Sequence, residues 1–485
     1  MQLPLPKRRI KLTPYPSLLP VRRDLMSGKL QLTTLVQQYL GNIASTRHLN
    51  AYIEVFATEA LDRAKALDEK RLSDPDSIGP LHGMVISIKD NICYEGHKAS
   101  AGSRIIENYT AIYSATAIER VLAADAIIIG RTNCDEFGMG STNEHSWYGP
   151  VRNPFDPERI PGGSSGGAAV AVATGTCLAA LGSDTEGSIR QPAAFCGILG
   201  LKPTYGCISR HGLIAYGSSF DQIGILAQHT TDIEALLEVM AGPDEFDATA
   251  HEQQVDLGQP GIDKARIAYF GTAFYHERID PEIQQESLQF MEKLRAQGHE
   301  LVEVPFEYLD YIIPAYYVLT TAEASSNLSR YDGVRFGYRA TGATTLKEMY
   351  VRTRTEGFGK EVKRRIILGT YVLSAGYYDA YYTKAQQVRR LIRDRTLEIL
   401  QDFDFIIMPV SPVPPWKLGE KTEDPVANYL ADIYTVQANM AGIPALAFPV
   451  GKTSTGLPIG IQLMSKPFTE GQLLHFVEQH AFTTP

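Results

Sequence analysis

The chain is poor in cysteine, and the few it has show no pairing pattern. Cys93, Cys134, Cys177, Cys196 and Cys207 form no C-x-x-C pair, and five is an odd count. This argues against a disulfide frame and a structural zinc site, and for a reducing compartment. No run of 18 apolar residues occurs, so no membrane-spanning helix is expected. Positive charge is in deficit. The 46 Lys and Arg stand against 55 Asp and Glu, for a formal net charge of −9, which argues against a general DNA or RNA binder. The opening MQLPLPKRRIKLTPYP has basic residues but no apolar stretch of signal-peptide length, so the cytoplasm is the expected location. No metal-ligand spacing of His and carboxylates is evident.

What is present reads as α/β. Hydrophobic residues make up 44% of the 485 and charged residues 21%, an ordinary globular balance. Residues 1–28, rich in Pro and Arg, are expected to be irregular, and residues 30–72 to form two or three helices. Short apolar runs at 84–88 and 126–129 end in polar loops and alternate with helical segments, a pattern repeated through 177–197. Strands are also expected at 267–270, 301–304, 405–410, 445–450 and 460–464. The expected fold is a single α/β domain over 1–485. It has a central mixed, mostly parallel sheet flanked by helices, and a helical excursion over about 308–400.

Glycine and serine concentrate where chemistry is most readily placed. Residues 162–167 read GGSSGG, and residues 182–192 read GSDTEGSIRQP. Such loops let backbone amides and hydroxyls approach a reacting atom. The match Gly163-x-Ser165-x-Gly167 formally fits a nucleophile elbow, but a loop, residues 153–157 (NPFDP), precedes it where a strand is required. Gly451-Lys452-Thr453 resembles the end of a phosphate loop, but Leu446 stands where its first glycine is required. There remains a set of Lys89, at a strand end, with Ser164 and Ser188, one in each glycine loop. A serine hydroxyl needs a base, and a lysine kept neutral by burial can serve. A second serine can relay the proton between them.

These residues carry a resemblance to the amidase-signature family. It rests on residues 83–91 (GMVISIKDN), 162–167 and 182–192, with 193–205 (AAFCGILGLKPTY), and on spacings of 75 residues from Lys89 to Ser164 and 24 from there to Ser188. The resemblance implies that Ser188 is the nucleophile, Ser164 (after a cis peptide bond) the relay, and Lys89 the base. It also implies an oxyanion hole from the amides of Thr185, Glu186 and Gly187. Within the family, residues 136–144, 221–224, 323–338 and 356–382 are most similar to the glutaminase subunits of tRNA-dependent amidotransferases. That implies hydrolysis of glutamine, with ammonia passed to a B subunit that uses ATP and Mg²⁺ to convert Glu-tRNA(Gln) to Gln-tRNA(Gln). A C subunit ties the pair together, and this chain itself holds no cofactor or metal. The resemblance maps glutamine's carboxylate to Arg365, its ammonium to Asp432, and a pocket tyrosine to Tyr316 or its neighbour Tyr317. Arg365 also lies in a run with Lys363 and Arg364, a pattern common on solvated or partner-facing surfaces.

One residue departs from the family pattern. Glu186 stands where that pattern has glycine, just before Gly187-Ser188. A positive φ there would be strained, and a carboxylate turned inward would oppose a developing oxyanion. Two other readings therefore stand beside the first: a free-standing amidase for another small amide, and a catalytically weakened assembly subunit.

Overall fold

The computed structural model describes residues 15–253, 255–259, 261–420 and 431–481. Its strands are β1 (Tyr52–Val55), β2 (Val85–Lys89), β3 (Ile127–Thr132), β4 (Ala179–Asp184), β5 (Leu199–Lys202) and β6 (Gln222–Ala227). β7 (Arg266–Tyr269), β8 (Glu300–Glu303), β9 (Phe405–Pro409), β10 (Ala445–Lys452) and β11 (Pro458–Ser465) complete the set. They join in one sheet of order β1-β3-β2-β4-β6-β5-β10-β11-β9-β7-β8. Every residue of β2, β3, β4, β6 and β9 is buried. Such strands are covered on both faces, so they read as continuous apolar runs and not as alternation.

The sheet is mixed, as expected, but it is not mostly parallel. β2 runs parallel to β3 and β4, and β7 to β8 and β9. The other pairings, β1·β3, β4·β6, β5·β6, β5·β10, β10·β11 and β9·β11, are antiparallel. The tight turn at 453–457 that joins β10 to β11 enforces one of these directly. β1 is not among the expected strands: it interrupts the 30–72 segment between helices Leu32–Ser45 and Ala57–Ser73. Residues 1–28 are not all irregular, because Leu18–Met26 is a helix that buries Leu18, Val21 and Leu25. Residues 1–14 lie outside the described residues.

The helical excursion holds Leu309–Asn327, Leu346–Gly357, Lys360–Val372 and Lys384–Asp402, with a π-helical turn at Tyr378–Thr383. Its first and last helices pack on the core through Ile312, Tyr316, Leu319, Ile392 and Ile399. Burying each such side chain contributes roughly 1.5–3 kcal/mol. The C-terminal ends of the parallel strands β2 and β4 lie on this side of the sheet and present Lys89 and the 184–190 turn. Strand C-terminal ends are where open α/β sheets gather ligands. All five cysteines are buried and unpaired.

Candidate active site

Lys89 ends a wholly buried strand and is 0% exposed. Its ammonium contacts three hydroxyls: Ser164 Oγ at 2.7 Å, Ser165 Oγ at 2.9 Å and Ser183 Oγ at 2.9 Å. Burial pushes its pKa down to about 8, against the raising pull of Cys134, Asp135, Asp184 and Asp221. A neutral lysine has one lone pair to accept a proton. Ser165 donates its own proton to the Ser183 carbonyl at 3.1 Å, and Asn91 Nδ2 donates to Ser183 Oγ at 2.9 Å. Ser164, at the shortest of the three distances, is therefore the hydroxyl placed to donate to the amine.

The Gly163–Ser164 peptide is cis. Helix Gly166–Ala173 follows at once, and its glycines let it lie against the neighbouring loops. A Cβ on Gly167 would fall 2.3 Å from the Asn133 carbonyl oxygen and 2.6 Å from that of Ala51.

The second glycine loop is held by a buried ion pair. Asp184 accepts from Arg190 Nε and Nη2, both at 3.1 Å, from Asn439 Nδ2 at 2.9 Å, and from the amides of Gly187 (2.9 Å) and Ile189 (3.2 Å). Burial would raise its carboxyl, but the Arg190 charge holds it below the ordinary value. Arg190 completes its fork on the Thr435 carbonyl (2.7 Å), Gln462 Oε1 (2.8 Å) and Asn439 Oδ1 (2.7 Å). Nothing in this constellation depends on solvent, as a buried charge requires.

Ser188 sits between this turn and helix Arg190–Cys196. It does not cap that helix, and its Oγ is buried with no hydrogen-bond partner among the described residues. Its carbonyl accepts from the Ser165 amide at 3.1 Å, so the two glycine loops touch. The structure thus forms the Lys89–Ser164 bond but not a Ser164–Ser188 bond. Catalytic hydrogen bonds are often looser before substrate binds. One of the three expected oxyanion donors falls away: the Gly187 amide is committed to Asp184. Thr185 is anchored through Oγ1 to Asp221 at 2.7 Å.

Arg365 is no surface residue. It is 2% exposed, on a helix whose Val362, Gly369 and Val372 are also buried. Its Nε donates to Glu361 at 2.8 Å and its Nη1 to Tyr216 Oη at 2.6 Å, and its guanidinium lies 5.5 Å and 5.2 Å from the Tyr216 and Tyr317 rings. Asp432, 1% exposed, accepts from Gln191 Nε2 at 2.7 Å, and Gln191 Oε1 in turn accepts from the Gly163 amide at 3.1 Å. Burial, followed by the charge of Glu186, raises the Asp432 carboxyl. Tyr316 and Tyr317 are both buried with their rings 5.2 Å apart, and Tyr317 Oη reaches Glu186 Oε2 at 3.4 Å. Glu186 is outside the left-handed region, so its backbone carries no such strain, but its carboxyl does turn inward.

Ser183, Asn91, Asp184, Arg190, Tyr216 and Glu361 belong to the site without standing out in the sequence as parts of it. Ser183, Asp184 and Arg190 lie in the second glycine motif, Asn91 ends the 83–91 stretch and Glu361 lies within 356–382, whereas Tyr216 lies in none of the stretches that carry a signal. Among the described residues no cluster of three His, Cys, Asp or Glu is placed to hold a metal ion. No described helix is long and apolar enough to cross a membrane.

Comparison with known proteins follows the same lines. The family model "Amidase" matches residues 34–474. The chain is 51% identical over 459 residues to the A subunit of glutamyl-tRNA(Gln) amidotransferase from a Chlorobium phaeobacteroides strain, spanning 94% of this chain and 96% of that one. It is 52% identical over 459 residues to the protein of the same name from Chlorobium luteolum, spanning 94% of each. The crystal structure of the corresponding glutamyl-tRNA(Gln) amidotransferase protein from Thermotoga maritima superposes with a TM-score of 0.75 at 35% identity, covering 94% of this chain and 95% of that one. With its lysine and serines gathered at the strand ends and the match running through both glycine loops, the chain belongs to the amidase family.

Proposed function

We propose that the chain is the glutamine-hydrolysing subunit of a tRNA-dependent amidotransferase. Its similarity to relatives named as the A subunit of glutamyl-tRNA(Gln) amidotransferase supports this. The observation that carries the chemistry is the 2.7 Å contact between a buried, depressed-pKa lysine and the first serine of GGSSGG.

In this reading Ser188 Oγ attacks the side-chain amide carbon of glutamine. Its proton passes to Ser164 Oγ as the Ser164 proton passes to Lys89 Nζ. The oxyanion takes hydrogen bonds from the amides of Thr185 and Glu186. Each such donor is worth about 2.7–4 kcal/mol of barrier. Lys89 returns the proton through Ser164 to the leaving nitrogen, and ammonia departs. Water then hydrolyses the glutamyl ester on Ser188 by the same relay. Arg365 holds the substrate's α-carboxylate and Asp432 its α-ammonium, because a guanidinium fork and a carboxylate complement the two ends. Tyr316 and Tyr317 wall the pocket.

Ammonia is delivered to a partner B subunit that holds ATP and Mg²⁺ and receives the Glu-tRNA(Gln), with a C subunit joining the two, in the cytoplasm. In this reading the whole chain, 1–485, is one amidase-signature domain. A single observation favours a second reading, a hydrolase of another small amide: the inward carboxyl of Glu186. Ammonia release measured against glutamine, asparagine and simple aliphatic amides, with Ser188→Ala as control, separates the two. The first reading expects glutamine as the best substrate, and release stimulated by ATP and charged tRNA when B and C co-purify.

A further inference from the structure

Gln191 is 0% exposed and takes no part in the proton transfers or substrate contacts given above. Its side chain spans two loops of the site. Nε2 donates to Asp432 Oδ1 at 2.7 Å, and Oε1 accepts from the Gly163 amide at 3.1 Å. The second bond fixes the orientation: a backbone N–H only donates, so Oε1 faces Gly163 and Nε2 is left for the carboxyl. Asp432 divides its oxygens accordingly. Oδ1 is taken by Gln191, while Oδ2 is buried with no hydrogen-bond partner among the described residues. A buried oxygen left open in this way points to a donor from outside the chain.

The Gly163 end matters because that residue leads into Ser164. The two loops lie close: a Cβ on Gly162 would fall 2.8 Å from Pro192 Cα and 3.1 Å from Gln191 Oε1. Residues 163–165 are held by three backbone bonds. The Gly163 amide donates to Gln191, the Ser164 carbonyl accepts from the Asp135 amide at 3.2 Å, and the Ser165 amide donates to the Ser188 carbonyl at 3.1 Å. The first of these is made to a side chain, and the other end of that side chain is on the carboxyl assigned to the ammonium. Gln191 itself has little freedom. Its amide donates to the Gly187 carbonyl at 2.8 Å, and Arg190 before it is fixed by its buried fork. A displacement of Asp432 is thus carried to Gly163 through one buried side chain, where hydrogen bonds are stronger than in water.

We infer that Gln191 is a positioning residue that couples the ammonium end of the substrate to the proton relay: the bonds from Asp432 through Gln191 to Gly163 settle Ser164 against Lys89 once Asp432 is engaged. The inference rests on the reading of Asp432 as the ammonium site and of Ser164 as the relay. It adds that the ammonium raises kcat as well as affinity, which uniform binding at Asp432 does not do.

The test compares glutamine with glutaramic acid, which is glutamine without its α-amino group. Steady-state kcat and KM for ammonia release are measured on the full chain with whatever subunits co-purify. In the unaltered chain kcat for glutamine should exceed that for glutaramic acid by about tenfold, the scale of one hydrogen bond to a charged group. Gln191→Met keeps the side-chain length and removes both bonds. It should bring the kcat ratio close to one, while glutamine keeps its advantage in KM through Asp432. Asp432→Asn should lose both advantages, and adding Gln191→Met to it should lower the kcat ratio no further. If Gln191→Met lowers kcat for both amides by the same factor, its role is structural and the inference is overturned, with the site intact. Equal kcat for the two amides in the unaltered chain overturns it as well. If Gln191→Met does not fold by circular dichroism, Asp432→Asn decides: an unchanged kcat ratio there overturns the inference. If the unaltered chain releases no more ammonia from either amide than Ser188→Ala, the reading of the site falls and the inference with it.

Discussion

Lys89 Nζ lies 2.7 Å from Ser164 Oγ, and both side chains are 0% exposed. The base of this site is thus an amine whose burial lowers its pKa to about 8. A base acts in its neutral form. Turnover should therefore rise with pH through an inflection near 8 and level off above it, while a protonated lysine holds the rate down at low pH. Lys89→Arg places a permanently charged group there, so that variant should be inactive across the range. A pH–rate profile of kcat/KM on any accepted amide checks both. A flat profile for the unaltered chain would contradict the role given to Lys89.

Ser164 and Ser165 are neighbours with different hydrogen-bond duties. Ser165 donates to the Ser183 carbonyl and accepts from Lys89, so it positions the amine. Ser164 is left to carry the proton. Ser164→Ala should lower kcat by about 10²–10⁴, the usual span for a lost proton-transfer group. Ser165→Ala should lower it less and shift the apparent pKa of the profile, because one of the contacts around the amine is gone. Equal losses with identical pH profiles would show that the two serines do not divide the work this way.

Much of this site was legible because glycine and serine cluster for chemical reasons. The 162–167 and 182–192 loops stand out by composition, and Lys89 ends an apolar run that had to be a buried strand. The residues that read poorly depend on tertiary packing. Arg365 sits among Lys363 and Arg364, and only the fold shows that it turns inward while Lys363 bonds the Thr355 carbonyl. Of the two residues that hold its guanidinium, Glu361 lies within the 356–382 stretch but is not marked there as a partner, and Tyr216 lies in a segment with no local signal. β1 is hidden inside a helical pattern because its four residues gain their pairing from β3, far along the chain. The sequence overstates the parallel character of the sheet because strand–helix alternation does not reveal that β5, β6, β10 and β11, in the middle of the sheet, pair antiparallel. The inward carboxyl of Glu186 is one of two orientations the sequence allows, and only the fold shows which is taken, with Oε2 3.4 Å from Tyr317 Oη.

Gly187 is required by both space and backbone. Its φ is +134, and a Cβ would fall 2.2 Å from Thr435 Oγ1 and 2.6 Å from Thr435 Cβ. Gly187→Ala should displace the turn that carries the Thr185 and Glu186 amides. The expected loss in kcat is about 10²–10³, comparable to losing one oxyanion donor, with the fold retained by circular dichroism. Unchanged kcat would mean that the oxyanion is held elsewhere.

Arg190 and Asp184 form an ion pair in which both side chains are 0% exposed. Replacing only the arginine leaves a buried carboxylate without its charge partner. Arg190→Leu should cost about 3–5 kcal/mol, read as a lower denaturant midpoint in urea at neutral pH. Protonating the stranded Asp184 should then recover part of the loss as pH falls. A midpoint unaffected by the substitution would show that the pair is not what holds the turn.

The central claim is that Ser188 attacks the amide of glutamine. Rapid quenching of the purified chain with saturating glutamine, followed by peptide mass spectrometry, tests it most directly. The account predicts a glutamyl ester on the peptide containing Ser188, formed together with ammonia, and neither product from Ser188→Ala. Ammonia released by Ser188→Ala at the unaltered rate, or an adduct on any other residue, would contradict it.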